Sequence, residues 1–306
     1  MPCKNCKEKP VIQLPNNPRK LCKTHFIRYF EKKALYTIKK FSLIAKNDKI
    51  IIALSGGKDS TSLLYLMNEL SKKTRLFLLE AILIDEGIKG YRDKTKKDAL
   101  AFCKKANIKL NIFSYKQEFG MTLDQMIRRI PQKPCTICGV FRRYLLNKYS
   151  RKLGFNKLAT GHNLDDEAQS ILMNQFRRNN AASARLGPIT GMLESKSFIK
   201  RIKPFYLLTE KETAAYSFLK GFPITFTECP YALQGYRWDV RIWLNNIESK
   251  YPGTKHSIIT SFLETLPLLK AHYKASAKLN SCTTCKEPTS KNICQACVLL
   301  KELKHV

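Results

Sequence analysis

The chain contains an apolar run, Ile50-Ile51-Ile52-Ala53-Leu54, that breaks into Ser55-Gly56-Gly57-Lys58-Asp59-Ser60 and resumes as a helical pattern. Five apolar residues without alternation suit a strand covered on both faces, as in a parallel sheet under helices. Leu63, Leu64, Leu66 and Met67 then supply the buried stripe of a helix. Between them the chain turns at two glycines, which lack Cβ atoms and let the backbone approach a ligand closely. The N–H groups of the first helical turn have no partner inside the helix, so the turn is an anion site. Spacing excludes the two commonest phosphate loops. A Walker loop would need glycine where Ile52 stands and Ser or Thr where Asp59 stands. A dinucleotide fingerprint would need separated glycines and a third.

The 55 Lys and Arg residues against 24 acidic ones, a formal charge of +31, imply a polyanionic partner, most simply nucleic acid. The 306 residues leave room for about two domains of ordinary size. The first 30 residues contain no apolar leader, and no run approaches the roughly 18 apolar residues of a membrane helix. The expectation is a cytoplasmic protein with no membrane partner. In that compartment the eleven cysteines point to metal binding or catalysis rather than to disulfides.

Those cysteines fall into sets. Cys3-x2-Cys6 and, fifteen residues on, Cys22-x2-His25 supply two short turns that close a tetrahedral zinc shell. Cys282-x2-Cys285 and Cys294-x2-Cys297 repeat the arrangement with four thiolates. A filled four-ligand shell leaves no room for substrate, so both read as structural, with Zn²⁺ supplying folding energy to modules that lack a core. The third C-x2-C, Cys135 and Cys138, has no fourth partner nearby, and Cys229 in Glu228-Cys229-Pro230-Tyr231 is the best candidate to join it. Three readings stay open: an iron–sulfur cluster with one open corner, persulfide and resolving chemistry on Cys138 and Cys229, or a further zinc site or chance pair. Cys103, beside Phe102, reads as a buried core thiol.

Strand patterns at 50–54, 76–84 and 109–113 alternate with helical patterns at 59–70 and 95–106, and further strands are expected at 157–160, 198–202 and 222–226. This is an α/β fold with a parallel sheet, whose ligands bind beyond the carboxyl ends of the strands. Three segments converge there: loop 55–60, Ile84-Asp85-Glu86-Gly87, and Thr160-Gly161-His162-Asn163-Leu164-Asp165-Asp166-Glu167. Asp165 and Asp166 at a helix start either hold Mg²⁺ on a nucleotide, cap backbone amides or orient a nucleophile. His162 either acts there or bonds the backbone. Arg237, Trp238, Arg241 and Trp243 interleave cations with rings, as an RNA-facing surface does, although both tryptophans also fit a helical core. The expected organisation is an N-terminal zinc knuckle (1–30), a catalytic domain (31–230), a helical region (231–278) and a C-terminal zinc knuckle (279–306).

Loop 55–60 resembles the pyrophosphate loop of the PP-loop ATP pyrophosphatases. With Cys135-Thr136-Ile137-Cys138-Gly139, Leu164-Asp165-Asp166-Glu167-Ala168-Gln169, Glu228-Cys229-Pro230-Tyr231 and the two flanking knuckles, nearly the whole chain resembles the tRNA 2-thiouridine synthetases of the TtcA/TtuA family. The resemblance implies an adenine nucleotide alpha hydrolase-like domain. It implies ATP held by Ala53, Ser55, Gly56, Gly57, Lys58, Asp59, Ser60, Ile84, Gly161 and Asp166, with Arg142 and Asp166 among the catalytic residues. It further implies a [4Fe-4S] cluster on Cys135, Cys138 and Cys229, a homodimer, and a ubiquitin-like thiocarboxylate protein or sulfide as sulfur donor. Uracil O2 would attack the α-phosphate of ATP, and sulfur would displace AMP. Arginine at 142, where the family carries lysine, is a departure. The wording around 142–148 and 164–169 resembles the branch acting on T-loop uridine 54 more than the wobble branch. Two other readings are a PP-loop amidating or lysidine-type tRNA ligase, which leaves the three central cysteines unexplained, and a non-catalytic zinc-knuckle RNA-binding protein.

Overall fold

The computed structural model describes residues 2–304 apart from Asn16, Pro18, residues 192–196, Phe226 and residues 275–278. It opens with a hairpin, β1 (Ile12–Gln13) and β2 (Lys20–Leu21), that leads into α1 (Lys23–Lys40). The α/β body begins with β3 (Asp48–Ala53), α2 (Lys58–Thr74), β4 (Phe77–Asp85), α3 (Arg92–Ala106) and β5 (Leu110–Ser114). The chain then runs through α4 (Tyr115–Phe119) and α5 (Leu123–Met126) to α6 (Pro134–Lys152), β6 (Lys157–Ala159), α7 (Leu164–Phe176) and α8 (Asn180–Ser183). Short strands β7 (Ile189–Thr190) and β8 (Lys200–Ile202) precede α9 (Glu210–Lys220), α10 (Tyr236–Lys250) and α11 (Thr254–Lys274). A hairpin of β9 (Asn280–Ser281) and β10 (Pro288–Thr289) and a last helix, α12 (Gln295–Lys304), follow.

The six-stranded sheet has the order β5-β4-β3-β6-β8-β7, parallel except for β7. The chain moves outward from β3 through β4 to β5, then crosses back to lay β6 on the other side of β3. That reversal opens a crevice between the ends of β3 and β6, where ligands bind in such sheets. The isoleucine run explains the covering layers. Ile50 and Ile52 join the core made with Phe26, Phe30 and Leu63, while Ile51 joins the one made with Phe141, Leu145 and Leu158. All three are fully buried, each stabilising the fold by about 1.5–3 kcal/mol.

Three expectations change. Residues 222–225 form no strand: Pro223 withdraws a donor, and Phe222 packs its ring against Tyr65 and Phe102 instead. Phe226 lies outside the described residues. Helix α9 is an addition to the expected elements, and Thr209 and Glu212 make a capping box at its start. Helix α6 begins at Pro134, in the first helical turn, so both cysteines of the central C-x2-C sit on one helix. Cys103 is core, as expected, and burial pushes its thiol up to about 11. Among the described residues no helix is long and apolar enough to cross a membrane.

Candidate active site

Two close backbone approaches shape the crevice. Gly56 has a φ of +82°, and a Cβ there would lie 2.1 Å from the carbonyl oxygen of Thr95 in α3. A Cβ on Gly161 would lie 2.9 Å from the Ser60 nitrogen. Both positions therefore require glycine. The loop is braced by its own hydroxyls: Ser55 N–H donates to Ser60 Oγ (3.1 Å), and Gly57 N–H donates to Ser55 Oγ (3.3 Å). Gly57 precedes α2 without any side chain to cap the helix, which leaves first-turn N–H groups for an anion. Ala53 and Ile84 stand at the ends of β3 and β4 on this rim, Ile84 buried and Ala53 half-buried.

Charges ring the loop. Lys58 bridges Asp59 (3.1 Å) and Glu210 (2.9 Å), and Arg241 also binds Glu210 (3.0 Å). Asp59 accepts from Asn163 Nδ2 (3.2 Å). Burial pushes the Asp59 carboxyl up to about 6, with Asp166 and Glu210 adding repulsion and Lys58 opposing it. Burial likewise raises Asp166. The two adjacent aspartates part company here. Asn163 caps α7, and its box partner is Asp166, whose side chain accepts from Asn163 N–H (3.1 Å). Asp165 is not the cap: it is buried, bound to Lys255, and accepts from Glu210 N–H (2.8 Å), so it holds α11 and α9 in place. His162 bonds the Thr160 hydroxyl (2.8 Å) rather than the backbone. The residue is exposed at the rim, and desolvation by the packed surroundings, followed by the charges of Lys203, Arg237, Arg142 and Arg201, favours the neutral ring.

The central cysteines meet at the start of α6. Cys135 is exposed, with its Sγ 3.5 Å from the carbonyl of Tyr231, two residues past Cys229. Cys138 and Cys229 are half-buried. Burial raises both thiols and Arg142 opposes it in each, while Cys138 feels the charge of Cys229 and Cys229 that of Cys135. Among the described residues the three do not contract into a single-ion shell, whereas each terminal quartet has all four donors within 4.8 Å of one another. In those quartets, Cys22 Sγ lies 3.2 Å from His25 Nδ1, and Cys294 N–H donates to Cys282 Sγ at 3.3 Å.

One residue to which no motif points joins the loop to the thiols: Glu86, in the segment 84–87 at the end of β4. It is fully buried. Its Oε2 accepts from Arg92 Nε (2.6 Å), and Arg92 in turn donates to the Ser55 carbonyl (2.8 Å). Glu86 Oε1 has no hydrogen-bond partner among the described residues and faces the Arg142 guanidinium at 3.6 Å. The neighbouring Cys138, then Glu86, keep Arg142 charged more firmly than usual. A polar path thus runs Ser55, Arg92, Glu86, Arg142, and the charge of Arg142 acts on the Cys138 thiol. Adjacency to a strand end is the only sequence signal for Glu86, since its partner lies six residues on.

A family model of the PP-loop domain matches residues 29–229. The tRNA-5-methyluridine(54) 2-sulfurtransferase of Pyrococcus horikoshii is 36% identical over 297 residues, covering 97% of this chain and 93% of that protein. The chain belongs to the PP-loop tRNA-thiolation family. Another relative, the tRNA 2-thiolation protein NcsA of Haloferax volcanii, is 33% identical over the full length of both. Among solved structures, the U34-tRNA thiolase NcsA of Methanococcus maripaludis, with its [4Fe-4S] cluster, matches with a TM-score of 0.83 at 31% identity. That match covers 99% of this chain and 96% of the thiolase. On this PP-loop protein, α10 carries the cationic and aromatic residues singled out in the sequence. Arg241 lies over Trp238 (5.5 Å), and half-exposed Trp243 meets Phe176 edge to face (6.2 Å), so Trp243 is not a core residue.

Proposed function

We propose that this protein is an ATP-dependent tRNA-uridine 2-sulfurtransferase. In this reading ATP lies across the crevice, its phosphates on Ser55, Gly56, Gly57, Lys58, Asp59 and Ser60 and its adenine near Ala53 and Ile84. Gly161 lets the segment after β6 close against the first turn of α2, and the Ser55 and Ser60 hydroxyls, 3.0 Å apart, exchange their mutual bond for phosphate oxygens. The carbonyl O2 of a uridine is a poor leaving group. Its attack on the α-phosphate expels pyrophosphate and makes O2 part of AMP, which a sulfur nucleophile at C2 then displaces. Loop N–H groups and Lys58 stabilise the charge that develops on the phosphates.

Donor chemistry supports the cofactors. Asp59 and Asp166 are half-buried carboxyls, and Asp166 raises Asp59 by repulsion, a strain that a divalent cation relieves, so they would hold Mg²⁺ on the phosphates. Cys135, Cys138 and Cys229 gather three thiols with no fourth, a donor set that fits a [4Fe-4S] cluster with one open position. Bound there, the cluster would present an exogenous sulfur, supplied as sulfide or by a ubiquitin-like thiocarboxylate protein. Arg142 neutralises the thiolates, and Glu86 holds Arg142 in register with the loop through Arg92. The two terminal quartets would each hold a structural Zn²⁺. Uridine 54 is the favoured target, on the wording of residues 164–169 and the Pyrococcus relative.

The observation that carries this reading is the run of contacts from Ser55 through Arg92 and Glu86 to Arg142, the cation whose charge acts on Cys138. The test is anaerobic turnover with ATP, tRNA transcript and sulfide, followed by mass spectrometry of nuclease fragments. Sulfur in the T-loop fragment is expected. Sulfur in the anticodon fragment would reassign the target, and ATP consumption with no sulfur in any fragment would reject thiolation.

A further inference from the structure

A cavity of about 1200 Å³ opens along a second flank of α6, away from the phosphate loop. Its inner wall is α6, with Arg143, Asn147 and Arg151 on successive turns. Strand β8 contributes Arg201, and the outer wall is the C-terminal zinc module, with Pro288 and Thr289 of β10. Residues 143–151 rise about 12 Å along the helix.

Among the described residues the charge in this cavity is not balanced. Its two carboxylates are already committed: Asp48 to Lys157 (2.7 Å), and Glu287 to Arg151 (3.3 Å) and Asn147 (3.0 Å). Among the described residues no carboxylate pairs with Arg143, Arg185 or Arg201, all of which line the space. The cations instead crowd one another. Arg201 donates to the carbonyl of Arg143 (3.5 Å), and burial together with that neighbour weakens its hold on a proton, to about 10. The Arg143 guanidinium lies back over Gly139, where a Cβ would stand 3.0 Å from its Nη1. At this end of the cavity Arg143 thus lies against Gly139, the residue after Cys138 in the chain.

We propose that this cavity is a groove for a stretch of tRNA sugar-phosphate backbone, with Arg143, Arg185 and Arg201 meeting successive phosphates and the C-terminal zinc module forming its outer wall. The proposal rests on the thiolation reading for the identity of the RNA. Three guanidinium groups on separate elements, without carboxylate partners among the described residues, call for an anion with repeated, spaced charges, as a nucleic acid backbone has. Tyr144, Phe155 and 42%-exposed Phe198 add ring faces on which riboses or unstacked bases can rest. The groove also gives the C-terminal zinc module a task other than closing the fold: it leads an RNA strand toward the thiols.

The test uses the full-length, metal-loaded protein and compares wild type with R185E/R201E and the charge-preserving R185K/R201K. Affinity for tRNA is measured against salt concentration, and affinity for ATP separately. The groove predicts at least a tenfold loss of tRNA affinity in R185E/R201E and a log–log salt slope shallower by about 1.5 to 2. It predicts near-wild-type behaviour in R185K/R201K and unchanged ATP affinity in both. Unchanged tRNA affinity and slope in a folded R185E/R201E would overturn the groove while leaving thiolation standing. Lost ATP affinity would assign these arginines to the nucleotide, and lost binding of a polyglutamate peptide with tRNA binding intact would assign them to an acidic protein segment. Either result overturns the proposal. Failure of the wild type to bind tRNA at all would overturn the thiolation reading with it.

Discussion

The terminal quartets and the central cysteines use the same C-x2-C unit to opposite ends. Each quartet brings four donors within 4.8 Å of one another, with Cys3 and Cys22 buried in one and Cys282, Cys294 and Cys297 in the other. A shell of four donors leaves no position for a substrate. Around the start of α6 there are three thiols, one of them exposed, that do not close to the spacing of a single-ion shell. In place of a fourth sulfur they have Arg142, backed by a buried glutamate that reaches the phosphate loop. Donor count and the partners behind the donors, rather than cysteine spacing, separate a staple from a reactive site.

The sharpest way to break this comparison is to open a quartet. Structural zinc contributes about 10–16 kcal/mol in isolated finger peptides. Cys282→Ser should therefore cost one zinc per chain and leave residues 279–304 open to limited proteolysis. A Cys282→Ser protein that keeps two zinc ions and resists protease would mean that the module is held by packing alone.

Cys138→Ser should do the reverse. Thiolation should fall by about 10³-fold, equivalent to roughly 4 kcal/mol of barrier, while the melting temperature shifts by less than about 3 °C. Comparable losses of stability in the two variants would erase the distinction.

Glu86→Gln keeps a hydrogen bond to Arg92 but removes the charge that Arg92 and Arg142 share. Breaking a buried pair costs about 3–5 kcal/mol. The retained bond should limit the stability loss to part of that, with kcat for thiolation down about 10–100-fold and zinc content unchanged. Recovery of kcat in Glu86→Asp without recovery of melting temperature would separate the positioning role from the structural one.

Asp59 gives the smallest effect and the clearest sign. Its folded pKa, about 6, stands above its unfolded value. The folded state therefore binds the extra proton between about pH 4 and 6, and this group's contribution to stability declines as pH rises through that window. Asp59→Asn should raise the stability of the nucleotide-free protein at pH 7 by about 2 kcal/mol and impair ATP turnover. The gain, read as the variant-minus-wild-type difference in melting temperature, should vanish near pH 4. A difference independent of pH would remove the carboxylate repulsion from the account.

Much of this is legible in the chain. The isoleucine run and double glycine specify a covered strand and its phosphate turn, and ligand spacing alone discloses both quartets. What stays hidden depends on contacts that no period encodes. Glu86 and Arg92 meet only because the chain turns between β4 and α3. Asp165 looks equivalent to Asp166 until Lys255, ninety residues away, claims it. The basic cavity sets α6 against strands of two and three residues, too short to leave an alternation pattern. Pro223 is the cue against a strand at 222–226, and the aromatic residues around it mask that cue.

The central claim is that the three middle cysteines form an open metal-holding set distinct from the closed quartets. Iron, acid-labile sulfide and zinc in anaerobically reconstituted wild type and Cys229→Ala test it most directly. The account predicts about four iron and four sulfide per wild-type chain, as in the cluster of the Methanococcus thiolase, with iron and sulfide lost and both zinc ions kept in Cys229→Ala. Iron no higher in wild type than in the variant, or zinc lost along with it, would contradict that claim.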